Sequence, residues 1–234
     1  MRKVAIFDID GTVFRSSIFV ELVEALIREG VFPERARRGY EREYHAWLNR
    51  RGDYETYITA MVAIFYRHIK GVYYGDLKEV GKKVIREQEQ HLYRFTRDLI
   101  RDLKRRRYFL LAVSQSPKAV LDPFCKRLGF DKVYGRIYAL GPTGRFTGEV
   151  EELHVIANKG AVLRRALEKE GLTLAHSIGV GDTEDDAAFL DLVEEPICFN
   201  PNHRLYRIAR SRGWRVVVER KDVVYEICSE AKRR

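Results

Sequence analysis

A chain of 234 residues, 45% hydrophobic and 33% charged, can bury one sizeable core and carry a smaller inserted domain, which excludes a disordered or low-complexity protein. No apolar run approaches the ~18 residues needed to cross a bilayer, and the short run after Met1 meets an aspartate too early for a secretory signal, so a cytoplasmic location with no membrane partner is expected. The net charge of +9 favours anionic partners, whether nucleic acid, a membrane surface or a phosphorylated small molecule, without choosing among them.

"KVAIFDIDGTVF" opens the chain as a buried strand that stops at Asp8 and Asp10, with Gly11 turning the backbone. From Ser16 the pattern becomes helical. "SSIFVELVEALIREG" repeats apolar residues on one helical face and stops at Gly30, and Pro33 opens a second helix, "PERARRGYEREYHAWLNRRG". Asp53 is the expected N-cap of a third helix ending at Gly71, and Asp76 starts a fourth that runs to about His91. No strand interrupts these four, so residues 15–91 read as a small all-helical insert, with most of its aromatics forming its own core.

A fifth helix, about 96–107, closes on the basic run "KRRR", which complements the helix dipole. "YFLLAVS" (108–114) is a buried strand ending in Ser114. Ser116 is the expected cap of helix 117–129, with Pro117 in its first position. "KVYGRIYALGPTGRFTGEV" reads as a hairpin, followed by helix 159–170, strand 176–182, short helix 184–192, strand "PICFN", helix 202–212 and strand 214–218. This alternation predicts an α/β fold: a Rossmann-like three-layer α/β/α core with a parallel sheet, residues 1–14 and 92–234, plus the helical insert. Cys125, Cys198 and Cys228 show no CxxC pairing, and the six histidines follow no ligand spacing, so neither a disulfide framework nor a zinc site is expected.

Ligands of open α/β sheets bind at the carboxyl ends of the strands, where this chain places Asp8 with Asp10, Ser114 and Asp182. Each alone is ordinary strand-end punctuation. Asp182, Asp185 and Asp186 crowd one helix start, where capping needs a single acid. Lys159 stands at the positive end of a helix, a poor place for a cation unless it has other work.

Together these residues resemble the haloacid dehalogenase-like superfamily of aspartate-nucleophile hydrolases. "VAIFDIDGT" matches its first motif, "LLAVS" its second, Lys159 its third, and Gly181, Asp182 and Asp186 its fourth, in order. A helical insert between the first two motifs is similar to the cap of the phosphoserine phosphatase-like branch. Two departures separate the chain from true phosphoserine phosphatases: "VFRSSIFVE" carries no acid until Glu21, and Gln115 and Ser116 replace glycines.

The resemblance implies a phosphomonoesterase acting on a small-molecule phosphate monoester. Asp8 would be nucleophile, Asp10 acid and base, Ser114 a hydrogen-bond donor to the phosphoryl group, and Lys159 a cation upon it. Mg²⁺ would be held by Asp8, the Asp10 carbonyl and Asp182, with Asp186 and Asp185 in support. The backbone at Ile9 and Gly11 would point N–H groups at the phosphate, and Arg15, Ser17 or Gln115 would touch the substrate. A monomer or homodimer is expected. The competing readings are a phosphotransferase or phosphomutase of the same fold, and a basic nucleic-acid-binding protein, for which no motif is present.

Overall fold

A computed structural model of the chain describes residues 1–151 and 158–227, leaving Cys228 and His154 outside the described residues. By its internal contacts the chain divides into two compact units. The first comprises Met1–Ser17, Gln90–Arg136 and the described residues beyond Glu151; the second comprises Ile18–Glu89 and Ile137–Glu151.

In the first unit, strand β1 (Arg2–Asp8) is central, with β2 (Phe109–Pro117) on one side and β5 (Leu172–Gly181) on the other, both parallel to it. β3 (Lys132–Leu140) extends the sheet beyond β2, and β6 (Glu195–Phe199) and β7 (Arg215–Arg220) extend it beyond β5. Val4 to Phe7 of β1 are fully buried, as a central strand covered on both faces requires. The covering helices in this unit are α5 (Arg94–Arg105), α6 (Lys118–Leu128), α7 (Lys159–Glu170), the single turn α8 (Ala187–Leu190) and α9 (His203–Arg212). Val162, Leu163 and Ala166 of α7 join Leu205 and Ala209 of α9 in one core cluster with the strands. The sheet ends in an antiparallel strand absent from the sequence reading, β8 (Val223–Ile227), which pairs only with β7 among the described residues.

The second unit holds α1 (Ile18–Arg28), α2 (Glu41–Leu48), α3 (Tyr54–Ile69) and α4 (Tyr74–Gln88), and Asp53 caps α3 by accepting from the Thr56 amide at 2.7 Å. The helix expected from Pro33 is broken: a 3₁₀ segment, Glu34–Gly39, precedes α2. Gly39 lies so close to Ile64 that a Cβ there would stand 2.1 Å from the Ile64 Cδ1, and Arg37 and Tyr40 both turn to Glu24, which fixes the break by contacts distant in sequence. The hairpin, placed with the core by sequence pattern, is divided: only the start of β3, to Arg136, lies in the first unit, and Ile137–Glu151, the end of β3 with β4 (Phe146–Glu151), groups with this unit instead. Its Tyr138 packs on Phe65 and Tyr66, and its Phe146 on Tyr74. Fewer of the insert's aromatics are core than expected: Phe19, Phe32, Tyr40, Tyr57 and Phe65 are buried, Tyr44, Trp47, Tyr66 and Tyr74 are half-buried, and Tyr54 and Tyr73 are exposed. Among the described residues no helix is long and apolar enough to cross a membrane.

Candidate active site

The carboxyl ends of β1, β2 and β5 meet in the first unit, and the chain turns sharply after each. After β1 the Ile9 carbonyl accepts amides from Thr12, Val13 and Phe14 at 3.3, 3.0 and 2.9 Å, folding residues 9–14 into a tight loop. Gly11 has φ of +80°, and a Cβ on it would stand 2.2 Å from Asp182 Oδ2, so only glycine lets the Asp182 carboxylate come this close. Thr12, fully buried, donates its hydroxyl to Asp182 Oδ1 at 3.1 Å. After β5 the Asp186 carboxylate folds the next turn: its Oδ2 accepts the amides of Asp182 and Thr183 at 2.9 and 3.0 Å. Gly181 permits this, since a Cβ there would lie 2.5 Å from the Asp186 Cβ.

The other oxygen of Asp186 faces the site. Lys159, the first residue of α7, donates to Asp186 Oδ1 at 2.5 Å and to Asp8 Oδ1 at 2.6 Å. All three side chains are buried, and Asn158 caps the helix by accepting from the Ala161 amide. Asp8, Asp182 and Asp186 each offer an oxygen within 4.8 Å of the others. Asp10 stands apart from that group and meets β2: Ser114 donates to its Oδ2, and Ser116 donates to the same oxygen at 2.9 Å.

Burial is the main influence on Asp8 and pushes its carboxyl up to about 8; Lys159 opposes the rise, while Asp186 and Asp10 add to it. Burial likewise holds Asp182 well above the ordinary carboxylate range, reinforced by Asp8 and Asp186. For Lys159 burial alone would favour the neutral amine, but Asp186 and Asp8 together raise it above its ordinary value, so it stays charged. The cluster is short of positive charge. In metal-free protein the folded state therefore keeps a proton on Asp8 that the unfolded chain releases near pH 4, and stability falls as pH rises from about 4 to about 8. Thermal melts of metal-free protein should show this decline, and it should be shallower in Asp8→Asn; a flat profile in the parent would contradict it.

Of the residues expected at the site, Asp8, Lys159, Asp182 and Asp186 come together, and Asp10 and Ser114 form an adjoining pair. Asp185 is exposed and joins neither group. The Gly11 amide is not directed at a ligand: it donates to the Phe14 and Ser16 carbonyls at 3.0 Å each, because the loop closes on itself. Ile9 contributes its carbonyl to that loop and buries its side chain fully. Arg15 lies over the Tyr93 ring at 5.6 Å, Ser17 is buried, and Gln115 accepts a two-pronged contact from Arg136, so the three proposed substrate contacts have protein neighbours. Ser116 does not cap α6, which begins from Pro117 with no side-chain cap; its hydroxyl goes to Asp10 instead. Sequence reasoning passed over Thr12 and Thr96, whose buried hydroxyl donates to the Thr12 carbonyl at 3.0 Å; both look like ordinary turn and helix-start threonines in the sequence.

This is a hydrolase-type α/β site, with an aspartate at the end of the central strand and a lysine and a second aspartate brought to it from later in the chain. The sequence profile of the haloacid dehalogenase-like hydrolases matches residues 5–191. A histidinol-phosphatase of Neisseria meningitidis is 25% identical over 224 residues, 93% of this chain and 99% of that one. An inhibition of morphological differentiation protein of Streptomyces azureus is 26% identical over 217 residues, 92% of this chain and 78% of the relative. A phosphoserine phosphatase solved as a phospho-aspartyl intermediate analogue superposes with a TM-score of 0.62 at 20% identity, covering 94% of this chain and 95% of the other, a likeness of fold. The chain belongs to the haloacid dehalogenase-like hydrolase family.

Proposed function

We propose that this chain is a Mg²⁺-dependent phosphatase that hydrolyses a small-molecule phosphate monoester through an aspartyl phosphate on Asp8. The observation that carries the reading is the Lys159 ammonium bridging buried Asp8 and Asp186, with the Asp182 carboxylate in the same cluster. An Asp8 oxygen attacks phosphorus as the ester P–O bond breaks, and Asp10 gives its proton to the departing alkoxide. In the second half Asp10 takes a proton from the water that attacks the same phosphorus, and Asp8 leaves as a carboxylate. Lys159 stays charged throughout and faces the phosphoryl oxygens from the Asp8 side. Ser114 donates its hydroxyl to one of those oxygens once substrate is bound.

The residues fit a hard divalent cation, because the donors are all oxygen and one ammonium faces three carboxylates. Asp186 spends both oxygens on Lys159 and the turn amides, which leaves Asp8, Asp182 and the Asp10 carbonyl as the holding set. Bound there, Mg²⁺ supplies the positive charge that lets Asp8 ionise and approach a phosphate dianion. A phosphate-release screen led by histidinol phosphate and phosphoserine, the substrates in the relatives' names, tests the reading. EDTA should lower the rate by about 100-fold or more, and added Mg²⁺ should restore it. Activity undiminished by EDTA would sink the metal assignment.

A further inference from the structure

We propose that Ser116 is a positioning residue that holds the Asp10 carboxylate while Ser114 turns to the phosphoryl group. The idea rests on Asp10 being the acid and base of the reaction proposed above. β2 continues past its apolar run through Ser114, Gln115, Ser116 and Pro117. Residues two apart on a strand face the same side, so both hydroxyls reach one carboxylate oxygen, Asp10 Oδ2. Gln115, between them, turns the other way to Arg136. Ser114 and Ser116 are 0% and 1% exposed, so water is a poor substitute for either.

A serine hydroxyl has a single proton to donate. The Ser114 oxygen already accepts the Ser116 amide at 2.9 Å, and its proton goes to Asp10. It cannot donate to Asp10 and to a phosphoryl oxygen at once. When Ser114 serves the phosphate, Asp10 keeps the Ser116 hydroxyl at 2.9 Å, and its carboxyl stays aimed at the leaving oxygen. The local fold forgoes something for this arrangement: α6 starts with no side-chain cap although a serine stands just before Pro117. A hydroxyl turned away from a helix start that lacks a cap indicates a use elsewhere.

Leaving groups of graded basicity separate this role from a structural one. Alkyl phosphates need a proton from Asp10 as the ester bond breaks, whereas p-nitrophenolate departs without one. Ser116→Ala should lower kcat/KM, which reports the steps up to formation of the aspartyl phosphate, by about 10- to 100-fold on an alkyl phosphate and by about threefold or less on p-nitrophenyl phosphate. Equal losses of kcat/KM on both substrates, or no loss on either, would overturn the proposal. A crystal structure of the parent protein with Mg²⁺ and inorganic phosphate supplies a test that needs no turnover. Ser114 Oγ should lie on a phosphate oxygen and Ser116 Oγ on Asp10; the reverse assignment would also overturn it. Absence of phosphate release from every monoester by the parent protein would sink the phosphatase reading, and the phosphate complex would still decide between the serines.

Discussion

Replacing Asp8 with asparagine should abolish turnover, by on the order of 10⁵-fold, and leave the fold standing. The expectation combines two features of the site. A carboxamide is no nucleophile towards phosphorus, so no aspartyl phosphate forms. Yet the Asn oxygen can still accept from Lys159, and the amide places no charge beside Asp182 and Asp186. Because burial already holds Asp8 protonated up to about pH 8 in metal-free protein, the amide mimics the form that predominates at neutral pH. The melting temperature should therefore hold or rise slightly. Phosphate release and a thermal melt on the same sample check both halves. Retained turnover would refute the assignment of the nucleophile, and a collapse of the fold would refute the account of its burial.

Lys159→Met should have the largest combined effect. Its ammonium is the cation shared by Asp8 and Asp186, and removing it leaves both buried carboxyl groups without that partner. Breaking a buried pair in this way costs about 3 kcal/mol or more. Denaturant unfolding at pH 7 would measure the loss, and a variant as stable as the parent would argue against the lysine as the cation that holds this cluster together. Turnover should fall by about 10³-fold even where the variant is folded, since no cation would then face the phosphoryl oxygens from this side.

The sequence was most legible where chemistry and chain position coincide. Asp8, Asp10, Ser114, Lys159 and Asp182 stand at strand ends or a helix start, and a buried apolar run that stops at a charged residue is visible without coordinates. Asp186 was legible too, as one acid too many for capping. What escaped reading depends on partners remote in the chain. Ser116 has the right neighbours for an N-cap, and only the approach of Asp10, 106 residues earlier, takes its hydroxyl away. The Gly11 amide looks ready for an anion until the Phe14 and Ser16 carbonyls fold back onto it. The break before α2 is set by Ile64 and Glu24, which no local pattern announces. β8 is five residues long and mostly exposed, so its apolar residues lack the buried run that marks the inner strands.

The loop after β1 is also tied to the segment that returns from the helical insert. Phe14 bridges to Leu92, the Arg15 amide donates to the His91 carbonyl at 2.8 Å, the Tyr93 amide donates to the Val13 carbonyl at 3.1 Å, and Thr96 holds the Thr12 carbonyl. The chain thus departs and comes back through a neck that is stitched shut by its own hydrogen bonds. An excursion closed at its neck can be lengthened, shortened or exchanged while the stitches below it stay in register. The geometry around Asp8 is secured on the near side of the neck, so substitutions and length changes beyond it can accumulate while the residues that would carry the reaction keep their places.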